Sequence, residues 1–382
     1  MKVKIDRGAL FAKLTHVTKA LPVKTSLTAL TGVKFVANAQ GVYLTASDSD
    51  ITINAFVPVG SADSSLVDVE TPGEVIIPGK YFFDIIRKLE ADIIEINTFE
   101  DNDILIRSDK GEYTLKGLDV LSYPRIEMPK EHQTLMIPTK LLKTIISQTI
   151  FSVALNESRP ILTGVNMSFD GGELNCVATD SFRLSKKVVP LDSEGLEPFN
   201  ITIPGRSFNE LSKILDVKDE QTEISIARNQ VRFKNDEISF QSRLLEGQYP
   251  DTESFVPKSF AIQVKANYRE LFHAIDRVAL MAKEERANVA KIEIVPEENI
   301  VTLKANSPEI GKIEETVKIK AHKGSPLRIA CSSLFLLDSL KAIQNVDADV
   351  IMGFNGEMKP FVLIDERDET NLQLIVPVRI ED

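Results

Sequence analysis

The stretch Gly73-Glu74-Val75-Ile76-Ile77-Pro78-Gly79-Lys80-Tyr81 comes within one residue of a phosphate-binding loop. Such a loop needs four residues between its glycines so that successive amides curl around phosphate. It also needs a Ser or Thr after the lysine to meet magnesium. Here five residues intervene, Pro78 stiffens the curl, and Tyr81 follows the lysine. Gly205-Arg206-Ser207-Phe208-Asn209 likewise lacks the final glycine of a nucleophile elbow. Asp48 and Asp50 invite a metal, yet Asp180 repeats Asp48 with no acid at the Asp50 position, so capping of a turn is the expected role. The four histidines (His16, His132, His273 and His322) are scattered, and Cys176 and Cys331 form no CxxC pair. No nucleophile, base and orienting group assemble, so no catalytic residue, no metal and no cofactor is expected.

The elements that carry these residues repeat. Leu30-Thr31-Gly32-Val33 returns as Leu162-Thr163-Gly164-Val165, and Ala46-Ser47-Asp48-Ser49 as Ala178-Thr179-Asp180-Ser181, both 132 residues later. A fainter echo is Ala305-Asn306-Ser307. Ile77-Pro78-Gly79-Lys80 with Phe82 returns as Ile203-Pro204-Gly205-Arg206 with Phe208, and a further Phe falls at Phe335. Tyr123-Pro124 and Tyr249-Pro250 also match. The shared offset is close to a third of the 382 residues, too long for a solenoid or propeller repeat of about 20–50 residues. Each copy is long enough for its own core. Three homologous domains are expected, at 1–129, 130–257 and 258–382.

Each copy opens with apolar residues at helical spacing: Leu10, Phe11, Leu14 and Val17 within 7–21, Leu142, Ile145 and Ile146 within 139–153, and Leu271, Phe272, Ile275 and Val278 within 267–282. A second helix is expected at 80–89, 205–215 and 333–343, with alternating runs such as Ile51-Thr52-Ile53-Asn54 between and after. Two helices packed on antiparallel sheets, three times over, is an α+β architecture.

The net charge of −11 disfavours open binding to DNA, whose phosphates reward clustered Lys and Arg. Its distribution is uneven, however. From Arg7 through Ser47 there are five basic residues and no acid. Three alike domains joined head to tail can close a ring, and a ring lined by such helices would hold a polyanion by enclosure. No run of apolar residues is long enough to span a membrane. The cysteine usage fits a reducing, cytoplasmic setting.

The chain resembles the bacterial β sliding clamp family, the beta subunit of DNA polymerase III, along essentially its whole length. The segments that carry the likeness include Pro78-Gly79-Lys80-Tyr81-Phe82, Arg159-Pro160-Ile161-Leu162-Thr163-Gly164-Val165, Ala178 through Leu184, Gln248-Tyr249-Pro250-Asp251, Ser307-Pro308-Glu309-Ile310-Gly311 and Leu374-Ile375-Val376-Pro377-Val378-Arg379. The resemblance implies the DNA clamp fold and a head-to-tail homodimer forming a six-domain ring around double-stranded DNA. It implies no catalysis: such clamps tether the DNA polymerase III catalytic subunit as processivity factors after a clamp loader complex has placed them. Other polymerases and repair proteins dock on them through short peptides.

Carried over position by position, the peptide pocket comprises Leu162, Thr179, Ser181, Phe182, Arg183, Leu184, Pro250, Val376, Pro377, Val378 and Arg379, with Phe255 and Pro360 at its edge. Arg183 and Arg379 are expected to orient the peptide. Family members commonly carry His where this chain has Phe182, which makes the rim more apolar here. The DNA-contacting positions map to Lys24 and Lys80, with Asn156 and Arg159 as further candidates. The alternative is a peptide-binding scaffold that encircles no DNA.

Overall fold

A computed structural model describes the chain except residues 62–63, 100–101, 127–131, 157, 192–194, 283–287, 308–309, 344 and 380–382. The expected join near 130 lies outside the described residues. Among them are six α-helices: α1 (Arg7–Val17), α2 (Gly79–Lys88), α3 (Thr139–Thr149), α4 (Gly205–Ser212), α5 (Tyr268–Ala282) and α6 (Ser333–Ala342). None is long and apolar enough to cross a membrane. The first helix of the first two copies is shorter than the hydrophobic period implied. A 3-10 turn, Thr18–Ala20 or Ile150–Ser152, completes the stripe after α1 or α3. α4 also stops short of the expected 215, because the Lys213 and Ile214 amides bond three residues back, to the Glu210 and Leu211 carbonyls, and tighten the chain into a turn.

Local chemistry sets the helix starts. The Asp6 carboxylate accepts the Ala9 amide at 2.7 Å to cap α1, and Ser332 caps α6 by accepting from the Phe335 amide. The fourth residue of each second helix is fully buried: Phe82, Phe208 and Leu336. Phe335 is therefore not the third copy of that phenylalanine. It sits one position earlier on α6, only partly buried, and meets an arginine described below.

Contacts divide the chain into two compact units, residues 1–142 with 210–244 and residues 143–209 with 245–382. The first unit holds a five-stranded and an eight-stranded sheet, and the second holds a twelve-stranded sheet. All named strand pairs are antiparallel. Inside each unit, a strand from one repeat pairs with a strand from the next. In the first unit Ile51–Pro58 runs against Ile238–Arg243, placing Ile53 opposite Phe240. In the second unit Arg183–Pro190 runs against Asp368–Ile375, placing Ser185 opposite Gln373 at the equivalent position.

At this pair of positions the two seams differ in chemistry, and at the neighbouring pair, Thr52 with Gln241 against Leu184 with Leu374, the contrast reverses. Ile53, Phe240 and Ala20 are buried and apolar. Their counterparts Ser185, Gln373 and Ser152 are equally buried but hydrogen-bonded: Ser152 Oγ to Ser185 Oγ at 2.6 Å and Ser185 Oγ to Gln373 Oε1 at 2.5 Å. Gln373 Nε2 continues the network to Asn371 Oδ1 at 2.7 Å and to the Gln148 carbonyl on α3 at 3.2 Å. Asn371 Nδ2 then reaches the Ala342 carbonyl on α6 at 3.0 Å. The side chains of Ser152, Ser185, Gln373 and Asn371 all find partners in this network, which limits the cost of burying them.

Candidate functional site: an apolar pocket beside a repeated turn

The repeated Ala-Ser/Thr-Asp-Ser motif forms the same turn twice. The Asp48 carboxylate accepts the amides of Asp50 and Ile51 at 3.0 and 2.8 Å. Asp180 accepts those of Phe182 and Arg183 at 2.9 and 3.0 Å. Both turns place their serine in the left-handed region, Ser49 at φ 81° and Ser181 at φ 78°. That conformation costs a non-glycine residue roughly 1–2 kcal/mol, offset here by two capped amides. The repeated tyrosines brace the same turns: Tyr123 Oη donates to the Thr45 carbonyl at 3.4 Å, and Tyr249 Oη accepts the Thr179 amide at 3.1 Å. Burial pushes both phenols well above their ordinary pKa, so each remains protonated.

The second turn forms one wall of a cavity of about 270 Å³ in the second unit. Leu162, Thr179, Ser181, Arg183, Leu184, Pro250, Phe255, Pro360 and Val376 line it, as the resemblance implied. Leu374, Thr252 and Arg159 line it too. Leu374 was legible in principle, because it lies opposite Leu184 across the strand pair. Arg159 was carried over as a DNA candidate, yet it stands at this pocket. Leu162, Leu184 and Leu374 also belong to a small buried cluster with Val177, Tyr249 and Val362. The walls are therefore core residues, held rigid by the packing behind them.

Phe182, Pro377, Val378 and Arg379 are not among the lining residues. The Phe182 carbonyl accepts the Val376 amide at 2.9 Å, while its ring is 63% exposed. Val378 bonds through its amide to the Ala330 carbonyl at 2.8 Å, which draws this segment off the pocket. Pro377 is buried and Arg379 exposed.

The expected orienting role of Arg183 meets a different arrangement. Its side chain is largely buried. Nε donates to Asp180 Oδ2 at 3.1 Å and Nη1 to Asp338 Oδ2 on α6 at 2.8 Å. The guanidinium lies 4.4 Å from the Phe335 ring centroid and 5.5 Å from that of Phe151. Nε and Nη1 are thus each held by a carboxylate.

Lys24 and Lys80 are exposed, Lys24 in the loop after the 18–20 turn and Lys80 in the first turn of α2. Neither makes an ion pair among the described residues. The α1 cations are more committed: Lys13 pairs with Glu237, and Arg7 donates to the Ile86 and Arg87 carbonyls at 3.0 and 2.7 Å, closing the end of α2. Asn156 is exposed and accepts from the Ser158 hydroxyl at 2.7 Å. No group of three or more metal-ligating side chains gathers among the described residues. Cys176 and Cys331 are buried, and burial pushes both thiols up to about 12.

Three family profiles match in succession: the DNA polymerase III beta subunit N-terminal domain over residues 1–127, its central domain over 136–251 and its C-terminal domain over 253–379. The beta sliding clamp of Bacillus subtilis is 42% identical over 379 residues, covering 99% of this chain and 100% of that one. That of Staphylococcus aureus is 38% identical over the same span, covering 99% of each. The crystal structure of the DNA polymerase sliding clamp from Bacillus subtilis matches with a TM-score of 0.96 at 41% identity, covering 100% of both chains. The beta subunit from DNA polymerase of Streptococcus pyogenes matches with a TM-score of 0.93 at 34% identity, again over 100% of both. With a profile for each of its three repeats and relatives matched end to end, this chain belongs to the DNA polymerase III beta subunit family.

Proposed function

We propose that this protein is a sliding clamp: a non-catalytic, head-to-tail homodimeric ring that encircles duplex DNA and tethers the replicative polymerase. Its three domains span 1–129, 130–257 and 258–382. It works in the cytoplasm, is placed on DNA by a clamp loader, and docks polymerases and repair proteins through peptides that enter the pocket at Leu162, Leu184 and Val376. Lys24, Lys80 and Asn156 face the nucleic acid. Arg159 is a further candidate for DNA contact and also lines the pocket.

The observation that carries the ring is an unfilled third seam. Three repeats offer three equivalent strand pairings, and two are made within the chain. Among the described residues, the remaining pair of edges is Gly111–Lys116, bonded on one side only to 103–108, and the first half of Gly311–Lys323, bonded on one side only to 300–307. Equivalence fixes the register. Lys312 stands opposite Asn306 as Thr52 stands opposite Ser47 and Leu184 opposite Thr179. Tyr113 stands opposite Ile106 as Phe240 stands opposite Phe233 and Gln373 opposite Leu363. Ile313 of one chain therefore meets Tyr113 of another, an apolar pair like Ile53 with Phe240. Open strand edges recruit partners, and a junction repeated between chains gives a closed dimer.

The test is retention on DNA. The protein is loaded by a clamp loader with ATP onto a nicked circle, the complex is isolated, and the circle is cut once. Persistence on the circle with prompt loss after linearisation supports enclosure. Equal retention on both forms would leave a peptide-binding scaffold that encircles nothing.

A further inference from the structure

Arg183 is a cation in the pocket wall whose charge is already answered. Asp180 holds its Nε from within the turn, and Asp338 holds its Nη1 from α6 at 2.8 Å, although Asp338 itself does not line the pocket. Two carboxylates against one guanidinium leave this corner with a net negative charge. Two aromatic faces, Phe335 and Phe151, cover the guanidinium further. The remaining lining residues are apolar or neutral apart from Arg159, which makes no ion pair among the described residues.

From this arrangement we infer that Asp338 is a specificity-determining residue of the pocket: by cancelling Arg183 it makes the pocket read apolar shape, and it denies an acidic occupant a second cation beside Arg159. The inference rests on the pocket being the partner site. It places a determinant of partner choice on a helix outside the pocket, 155 residues from the arginine it controls. Removing the Asp338 charge while keeping its shape would bring the corner from net negative to neutral, so that it no longer repels an acidic occupant. The cavity would stay intact, because Asp180, Phe335 and Phe151 still hold the guanidinium.

The test uses two fluorescein-labelled pentapeptides of one sequence, Leu-Leu-Gly-Leu-Phe, one ending in a free carboxylate and the other in a carboxamide. Fluorescence polarisation gives the ratio of their affinities for each protein. In Asp338→Asn the ratio is expected to move toward the carboxylate by about two- to fivefold at low ionic strength, the span of a partly exposed ion pair. It should fade as salt rises. Arg183→Met combined with Asp338→Asn restores the original net charge and should restore the original ratio, which loss of packing alone would not do. Phe255→Ala, at an exposed edge of the pocket, serves as the control and should weaken both peptides alike. If Phe255→Ala changes neither affinity, the pocket is not the peptide site. If it weakens both but Asp338→Asn leaves the ratio unchanged, the role given to Asp338 is wrong.

Discussion

The third seam can be trapped covalently. Opposite residues in an antiparallel pair alternate between hydrogen-bonded and non-hydrogen-bonded sites. In the first seam the Arg243 amide donates to the Asp50 carbonyl at 2.9 Å, and in the second the Val376 amide donates to the Phe182 carbonyl at 2.9 Å. These mark hydrogen-bonded sites, so Ile53–Phe240 and Ser185–Gln373, each an odd number of residues away, are non-hydrogen-bonded. Their counterpart, Ile313 with Tyr113, then has α-carbons about 4.5 Å apart with side chains on one face, within the range a disulfide spans. Tyr113→Cys with Ile313→Cys should therefore oxidise to a covalent dimer of about 85 kDa, twice the 42.5 kDa chain. The native thiols do not compete, because both are buried. A one-residue slip reverses the face, so Tyr113→Cys with Lys312→Cys should cross-link far less. Non-reducing electrophoresis after mild oxidation reads both. Equal cross-linking in the two variants, or none in the first, would refute the register and the equivalence of the seams behind it.

Other expectations follow from single contacts. Tyr249→Phe removes the acceptor of the Thr179 amide; leaving that amide unpaired should cost about 1–3 kcal/mol of unfolding free energy, seen in denaturant titration and in weaker polymerase binding. Lys24→Glu with Lys80→Glu should weaken binding to duplex DNA and flatten its salt dependence by about one unit of slope for each lysine, while polymerase binding in a pull-down stays unchanged. His16 is held below its ordinary pKa by desolvation and by Lys19 and Lys13, and its Nδ1 has no partner. Its neutral form is the one the fold accepts. The stability it supports is full above its unfolded value near 6.5 and is lost as pH falls through the lowered value. His16→Gln should therefore flatten the acid side of a Tm-against-pH curve.

Much of the architecture was legible because repetition multiplies weak signals. The Asp48 and Asp180 turns and the apolar stripes of α1, α3 and α5 stand where the motifs placed them, and nine residues carried over from the family resemblance line one cavity. Other features depended on distance in space. Nothing near Arg183 in the chain announces Asp338, and only the packing of α6 brings the two together. Phe335 looked like a third buried phenylalanine because residue type matched at the right offset, whereas the turn of α6 buries Leu336. Thr252 carried no motif at all. The compact units also cut across the repeats, since a strand is assigned by the sheet it completes and not by the copy it came from.

The contrast between the two internal seams bears on temperature. Burial of Ile53 and Phe240 draws on hydration that weakens as water is cooled. The Ser152–Ser185–Gln373–Asn371 network draws on hydrogen bonds instead, which lack that dependence. Chilling should therefore loosen the apolar pairs, Ile53–Phe240 in the first seam and Leu184–Leu374 in the second, before the hydrogen-bonded network. Near freezing, amide protection should fall first around these apolar pairs and last around Ser185 and Gln373.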